Sequence, residues 1–73
     1  MTEEDYISTV CQNVKNLRVS KKLTQVELAA SVGIDDSSLR RIESGRTSPT
    51  LKTLYRLATA LEVNVIDLLP SQG

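Results

Sequence analysis

The sequence predicts an all-helical bundle of five short helices. Three observations carry that expectation. Apolar residues recur three and four positions apart along most of the chain. Threonine, aspartate or asparagine stands just before these segments, and glycine follows two of them. No stretch alternates apolar and polar residues for long enough to make a strand.

The first helix is expected at about 3–20. Thr2 followed by Asp5 resembles a capping box, and Glu3 and Glu4 suit the positive end of a helix. Ile7, Val10, Cys11, Val14 and Leu17 then recur at helical spacing, and Lys21 and Lys22 suit the far end. Cys11 falls on that apolar stripe and lacks a histidine to activate it, so it reads as a small core residue. The second helix, 25–32, opens on a stronger capping box, Thr24-Gln25-Val26-Glu27. Leu23 and Leu28 hold the staple positions beside it, and Gly33 ends it. The third, 36–44, has Asp35 as its cap and Leu39 and Ile42 facing inward.

A polar loop, Arg46-Thr47-Ser48-Pro49, leads to the fourth helix at about 50–61. Its apolar stripe is Leu51, Leu54, Leu57, Ala58 and Leu61. Asn64 caps a last short helix at 65–69, and residues 70–73 read as a loose end.

Seventy-three residues make one domain, 1–73. A chain this short buries only about 60% of the surface its unfolded form exposes, so its stability is marginal. One cysteine cannot form an internal disulfide, and the absence of histidine removes zinc sites of the Cys/His kind. Dimerisation is the support expected. No run nears the roughly 20 apolar residues of a membrane span, and the acidic N-terminus is unlike a secretory signal. A cytoplasmic protein with reduced Cys11 follows.

Net charge is zero, which argues weakly against nucleic acid. Its distribution argues the other way. All nine bases lie within 15–56, with only four of the nine acids. A basic middle of that kind can meet a polyanion, although charge alone favours an ordinary mixed-charge surface.

A helix, a short turn containing Gly33 and a second helix make a helix-turn-helix by spacing alone. Here LTQVELAASVGIDDSSLRRIESGRTSPTLKTLYRLATALEV resembles the Cro/CI-type, lambda-repressor-like domain of the XRE family. The motifs are Leu-Thr-Gln opening the second helix, Leu-Ala before the glycine turn, Ile-Glu-x-Gly closing the third, a proline loop and a leucine-rich fourth helix. The likeness covers about residues 14–69. It implies a compact five-helix DNA-binding domain whose third helix reads the major groove. Carried over by position, Asp36, Ser37 and Arg41 would read bases. Gln25, Arg46, Thr47, Thr50 and Lys52 would contact the DNA backbone. Arg18 and Glu43 would form a structural ion pair, or stand as two solvated charges; the lesser alternative for Arg46 is a plain loop charge.

Helical geometry adds to this. With Leu39 and Ile42 inward, the outward direction lies about 150° from Leu39, at 100° per residue. Ser37 falls at about 160°, Arg41 at about 200° and Arg40 at about 100°. Arg40 thus becomes a flanking phosphate contact, and Arg41 the candidate reader of guanine.

The resulting expectation is a sequence-specific transcriptional regulator, binding a symmetric double-stranded DNA operator as a homodimer. It could block RNA polymerase or, from beside the promoter, recruit it. Val63, Val65, Ile66, Leu68 and Leu69 would form the dimer surface, unless they simply cover the core. No sensor domain is recognisable, so regulation would follow from site position and protein concentration. A phage repressor, a restriction–modification controller protein and an antitoxin-like autoregulator all fit; Gly33-Ile34-Asp35 is similar to controller proteins in particular. The alternative is a protein-interaction module on the same fold, without DNA binding. An enzyme is not expected: histidine, a glycine-rich phosphate loop and a converging acid–base set are all missing. No cofactor, metal or small-molecule ligand is expected either. Asp36 is the odd residue, an acid on a DNA-reading face. It could accept from a cytosine amino group, be held by Gln25, or repel wrong sites.

Overall fold

The computed structural model describes residues 1–71. It contains four α-helices, α1 (Glu3–Ser20), α2 (Gln25–Val32), α3 (Asp36–Glu43) and α4 (Leu51–Ala60), followed by a 3-10 turn (Val65–Leu68). No strand occurs among the described residues. The fifth helix expected at 65–69 is therefore only a turn. Pro70 explains why it cannot continue: the residue before a proline is driven out of the α region. Leu69 accordingly is extended, at φ −85° and ψ 153°.

The starts of α1, α2 and α4 follow the caps in the sequence. Thr2, Thr24 and Thr50 each accept a backbone N–H three residues on, from Asp5, Glu27 and Thr53. At α2 the box is reciprocal. The Thr24 N–H donates to Glu27 Oε1 at 2.8 Å, and this bond holds the exposed Glu27 carboxyl below its usual pKa. Asp35 behaves differently. It occupies the N-cap position of α3, but its side chain makes no capping bond. Its charge still sits at the positive end of the helix.

All four helices close on a left-handed residue, the C-cap itself in α2 and the residue after the cap in the others. The N–H beyond it reaches back five residues: Leu23 to Arg18, Ile34 to Ala29, Arg46 to Arg41, Val63 to Ala58. Glycine takes the left-handed position after α2 and α3 (Gly33, φ 81°; Gly45, φ 79°), but Lys22 (φ 60°) and Glu62 (φ 61°) take it after α1 and α4. A side chain in that conformation costs about 1 kcal/mol or more. Glu62→Gly is thus expected to stabilise the chain by about 0.5–1 kcal/mol after glycine's own entropy cost. A thermal melt should show the midpoint a few degrees higher; an unchanged or lower midpoint would refute the strain.

The helices enclose one core of Val14, Leu28, Ala29, Val32, Leu39, Leu57, Ala58, Leu61 and Leu68. α2 packs on α3 and α4, while α1 packs on α3 and the 3-10 turn. Two apolar residues fall on the unexpected side. Leu51, placed on the inner stripe of α4 by spacing, is 75% exposed, because that helix enters the core only from Leu54 onward. Leu68, assigned to a dimer surface, is 0% exposed and belongs to the core. The end of the described chain is also less loose than expected. Pro70 is buried, and Asn13 Nδ2 donates to the Leu68 carbonyl at 3.0 Å, tying α1 to the C-terminal turn. Residues 72 and 73 of the expected loose end lie outside the described residues.

Candidate nucleic-acid interface

The turn between α2 and α3 sets the angle at which α3 is presented. The left-handed Gly33 reverses the chain, and Ile34 packs partly against the core behind it. Leu39 and Ile42 then lock one side of α3 inward, both buried. The opposite side of α3 helps to form an open cleft. Ser37, Arg40, Arg41 and Ser44 contribute from α3 and its C-cap, Lys15 from α1, Gln25 from α2, and Arg46 from the following loop. Glu43 reaches into the cleft from beneath. Four cations therefore share one surface of a chain with zero net charge.

The single carboxylate in the cleft is spoken for. Arg18 Nε donates to Glu43 Oε2 at 2.7 Å, and Nη2 donates to Oε1 at 3.0 Å. The third guanidinium nitrogen, Nη1, donates to the Leu23 carbonyl at 2.7 Å. The two side chains are 12% and 2% exposed, so this is a buried, two-pronged pair that joins the end of α1 to the end of α3. Glu43 Oε1 also accepts from Gln25 Nε2 at 3.1 Å. One carboxylate thus holds three helices in register and fixes Gln25 at the mouth of the cleft. No buried side-chain nitrogen or oxygen lacks a partner among the described residues.

Asp36 is not held by Gln25. It accepts from Arg40 Nη1 at 3.2 Å, one turn further along α3. Both side chains are about half exposed, so the pair is weak and open to competition. It partly cancels the acid that looked out of place on this face. Arg41 Nη2 donates to Ser38 Oγ at 3.3 Å, a long bond that leaves most of the guanidinium free. Asp36, Thr47, Thr50 and Lys52 do not line the cleft. The Thr50 hydroxyl is engaged by Thr53, accepting from its N–H and donating to its Oγ1. Lys52 is exposed in the first turn of α4.

Sequence reasoning missed one residue of the site, and the core position it gave Cys11 turns out to brace the site as well. Lys15 lines the cleft, though it lies outside the helix-turn-helix unit. Its signal was its spacing, three residues before Arg18 and four after Cys11, on one side of α1. Cys11 itself is buried, and its thiol donates to the Thr47 carbonyl at 3.9 Å. Burial pushes its pKa up, which keeps it a protonated donor bracing the 46–49 loop.

Of the five residues considered for a dimer surface, Ile66 stands out at 72% exposure. Val63 and Val65 are half-buried against the core, and Leu69 is half-buried too. No described helix is long and apolar enough to cross a membrane.

A glycine-turn helix pair that presents a cationic outer face defines a helix-turn-helix domain of the nucleic-acid-reading kind. The chain belongs to the helix-turn-helix family HTH_3, which matches residues 14–68, and with it to the XRE-type transcriptional regulators. It is 42% identical over 64 residues to the uncharacterised HTH-type transcriptional regulator y4dJ of Sinorhizobium fredii, covering 88% of this chain and 83% of that one. It is 44% identical over 57 residues to the immunity repressor protein of Bacillus phage phi105; this spans 78% of this chain and only 40% of the repressor. In structure it is similar to the restriction–modification controller protein C.AhdI of Aeromonas hydrophila. The TM-score is 0.83 at 32% identity, over 86% of this chain and 96% of that one.

Proposed function

We propose that this chain is a sequence-specific, double-stranded DNA-binding regulator that acts as a homodimer on a symmetric operator. One observation carries the reading: a chain of zero net charge gathers Lys15, Arg40, Arg41 and Arg46 on one open cleft along its exposed helix. Phosphate contacts supply most of the affinity of such a surface, and base contacts supply the sequence. Arg41, outward on α3 and mostly unengaged, suits guanine O6 and N7, with Ser37 and Asp36 beside it. Arg40, Gln25, Arg46, Thr47 and Lys52 would bear on the backbone. Thr50 serves first as the cap of α4, so any phosphate it met would find that hydroxyl already engaged. Ile66 would lead the dimer contact, with Val65 and Leu69 at its side. A two-fold dimer then spaces half-sites by roughly 34 Å, one helical turn. The likeness to a restriction–modification controller protein and to a phage immunity repressor supports a regulatory role of this sort.

Selection of bound sequences from a random DNA pool tests the whole reading at once. It should return a palindromic site, with affinity that falls steeply as salt rises. Failure to enrich any duplex, together with salt-insensitive binding, would leave the fold as a protein-interaction module. On the recovered site, Arg41→Ala should cost about 1–3 kcal/mol and relax preference at one base pair. A uniform loss across operator variants would place Arg41 on the backbone instead.

A further inference from the structure

We infer that Lys15 grips a DNA phosphate, so that the DNA-binding surface extends beyond the helix-turn-helix unit onto α1. The inference rests on the DNA-binding reading above. Its geometry comes from two fixed neighbours. Cys11, four residues earlier, bonds to the carbonyl of Thr47. Arg18, three residues later, is clamped to Glu43. Residues three and four apart share one side of a helix, so Cys11, Lys15 and Arg18 stack along one edge of α1. The two outer members are anchored at either end of the segment from Glu43 to Thr47. Lys15, between them, is set beside the middle of that segment, and it lines the cleft with Ser44 and Arg46.

Its chemistry suits a phosphate better than a base edge. Lys15 is exposed, and no described carboxylate pairs with it. A lysine is a compact point charge on a flexible stem, without the planar fork that reads guanine. Arg46 shares the cleft from the loop side, so the two charges could bear on the phosphates beside the bases that α3 faces. Such a contact adds affinity and fixes the protein's register, but carries no sequence information by itself.

The test compares wild type, Lys15→Ala and Lys15→Arg by fluorescence anisotropy, on the selected operator and on a scrambled duplex, from 50 to 200 mM salt. Lys15→Ala should weaken both duplexes by the same factor. Its log affinity–log salt slope should be shallower by about 0.9, so its deficit shrinks by about 3.5-fold across that range. Lys15→Arg should keep the wild-type slope. A wild-type slope in Lys15→Ala would overturn the inference while leaving DNA binding intact. A loss confined to the selected operator would overturn it too, by making Lys15 a reader of sequence. If wild type binds neither duplex, the DNA-binding reading itself falls, and this inference with it. Partial unfolding of a variant lowers apparent affinity but not the slope, so the slope decides.

Discussion

Glu43→Ala is expected to destabilise the chain by about 3–5 kcal/mol, the usual cost of removing one partner from a buried ion pair. The reason is the burial of what remains. The Arg18 guanidinium is 12% exposed on its side chain and would lose two of its three bonds, while Gln25 would lose its only side-chain partner among the described residues. A chain of this length holds only about 4–11 kcal/mol of stability in all. Urea denaturation should therefore show a variant close to unfolding at room temperature. A loss under about 1 kcal/mol would mean that Arg18 swings out to water, and that the pair is not a clamp. Pairing Glu43→Leu with Arg18→Met should recover most of the stability, because apolar replacements of a buried pair are often neutral or better. DNA affinity should stay low in that double variant, since Gln25 still lacks its anchor. The pair's contribution to stability and its positioning of the site can thus be separated.

Leu68→Ala is the second large effect, expected at about 2–5 kcal/mol from lost burial and the cavity left behind. Leu68 is 0% exposed and packs with Val14, Leu57 and Leu61 in the core. The loss should be independent of protein concentration. A denaturation midpoint that moves with dilution in wild type, but no longer in Leu68→Ala, would return Leu68 to an intersubunit role. Ile66→Ala, two residues earlier and 72% exposed, should change monomer stability by less than about 0.5 kcal/mol. Any larger effect of Ile66→Ala should appear in self-association, read by sedimentation across a dilution series.

Much of the fold was legible along the chain because its signals are local. A threonine cap and its acid lie three residues apart, and the bonds that make them useful span the same distance. Gly33 and Gly45 marked two helix ends because glycine takes a left-handed conformation easily. Lys22 and Glu62 hid the other two ends, since neither residue type favours that conformation. The fifth helix failed where Pro70 outweighed a periodic pattern only five residues long.

The candidate site divides along similar lines. Ser37 and Arg41 could be placed outward from Leu39 and Ile42, all within one short helix. Lys15 could not: its spacing from Cys11 and Arg18 marks one side of α1, but nothing near it in sequence says what that side packs against. The bond from Gln25 to Glu43 spans 18 residues, that from Cys11 to Thr47 spans 36, and that from Asn13 to Leu68 spans 55. Periodicity within one element is blind to all of them.

The sequence by itself determined the helical class, the threonine caps of α1 and α2, the glycine turn and the helix that faces outward. These depend on backbone hydrogen bonds and apolar spacing over three to five residues, which the order of residues encodes directly. Only the tertiary structure decided that Leu68 is core and Leu51 is surface, that Asp36 answers to Arg40, and that Glu43 binds Gln25 as well as Arg18. Those outcomes depend on which helices meet and at what height. Burial and charge pairing are properties of the whole packed chain, so no single stretch of it contains them.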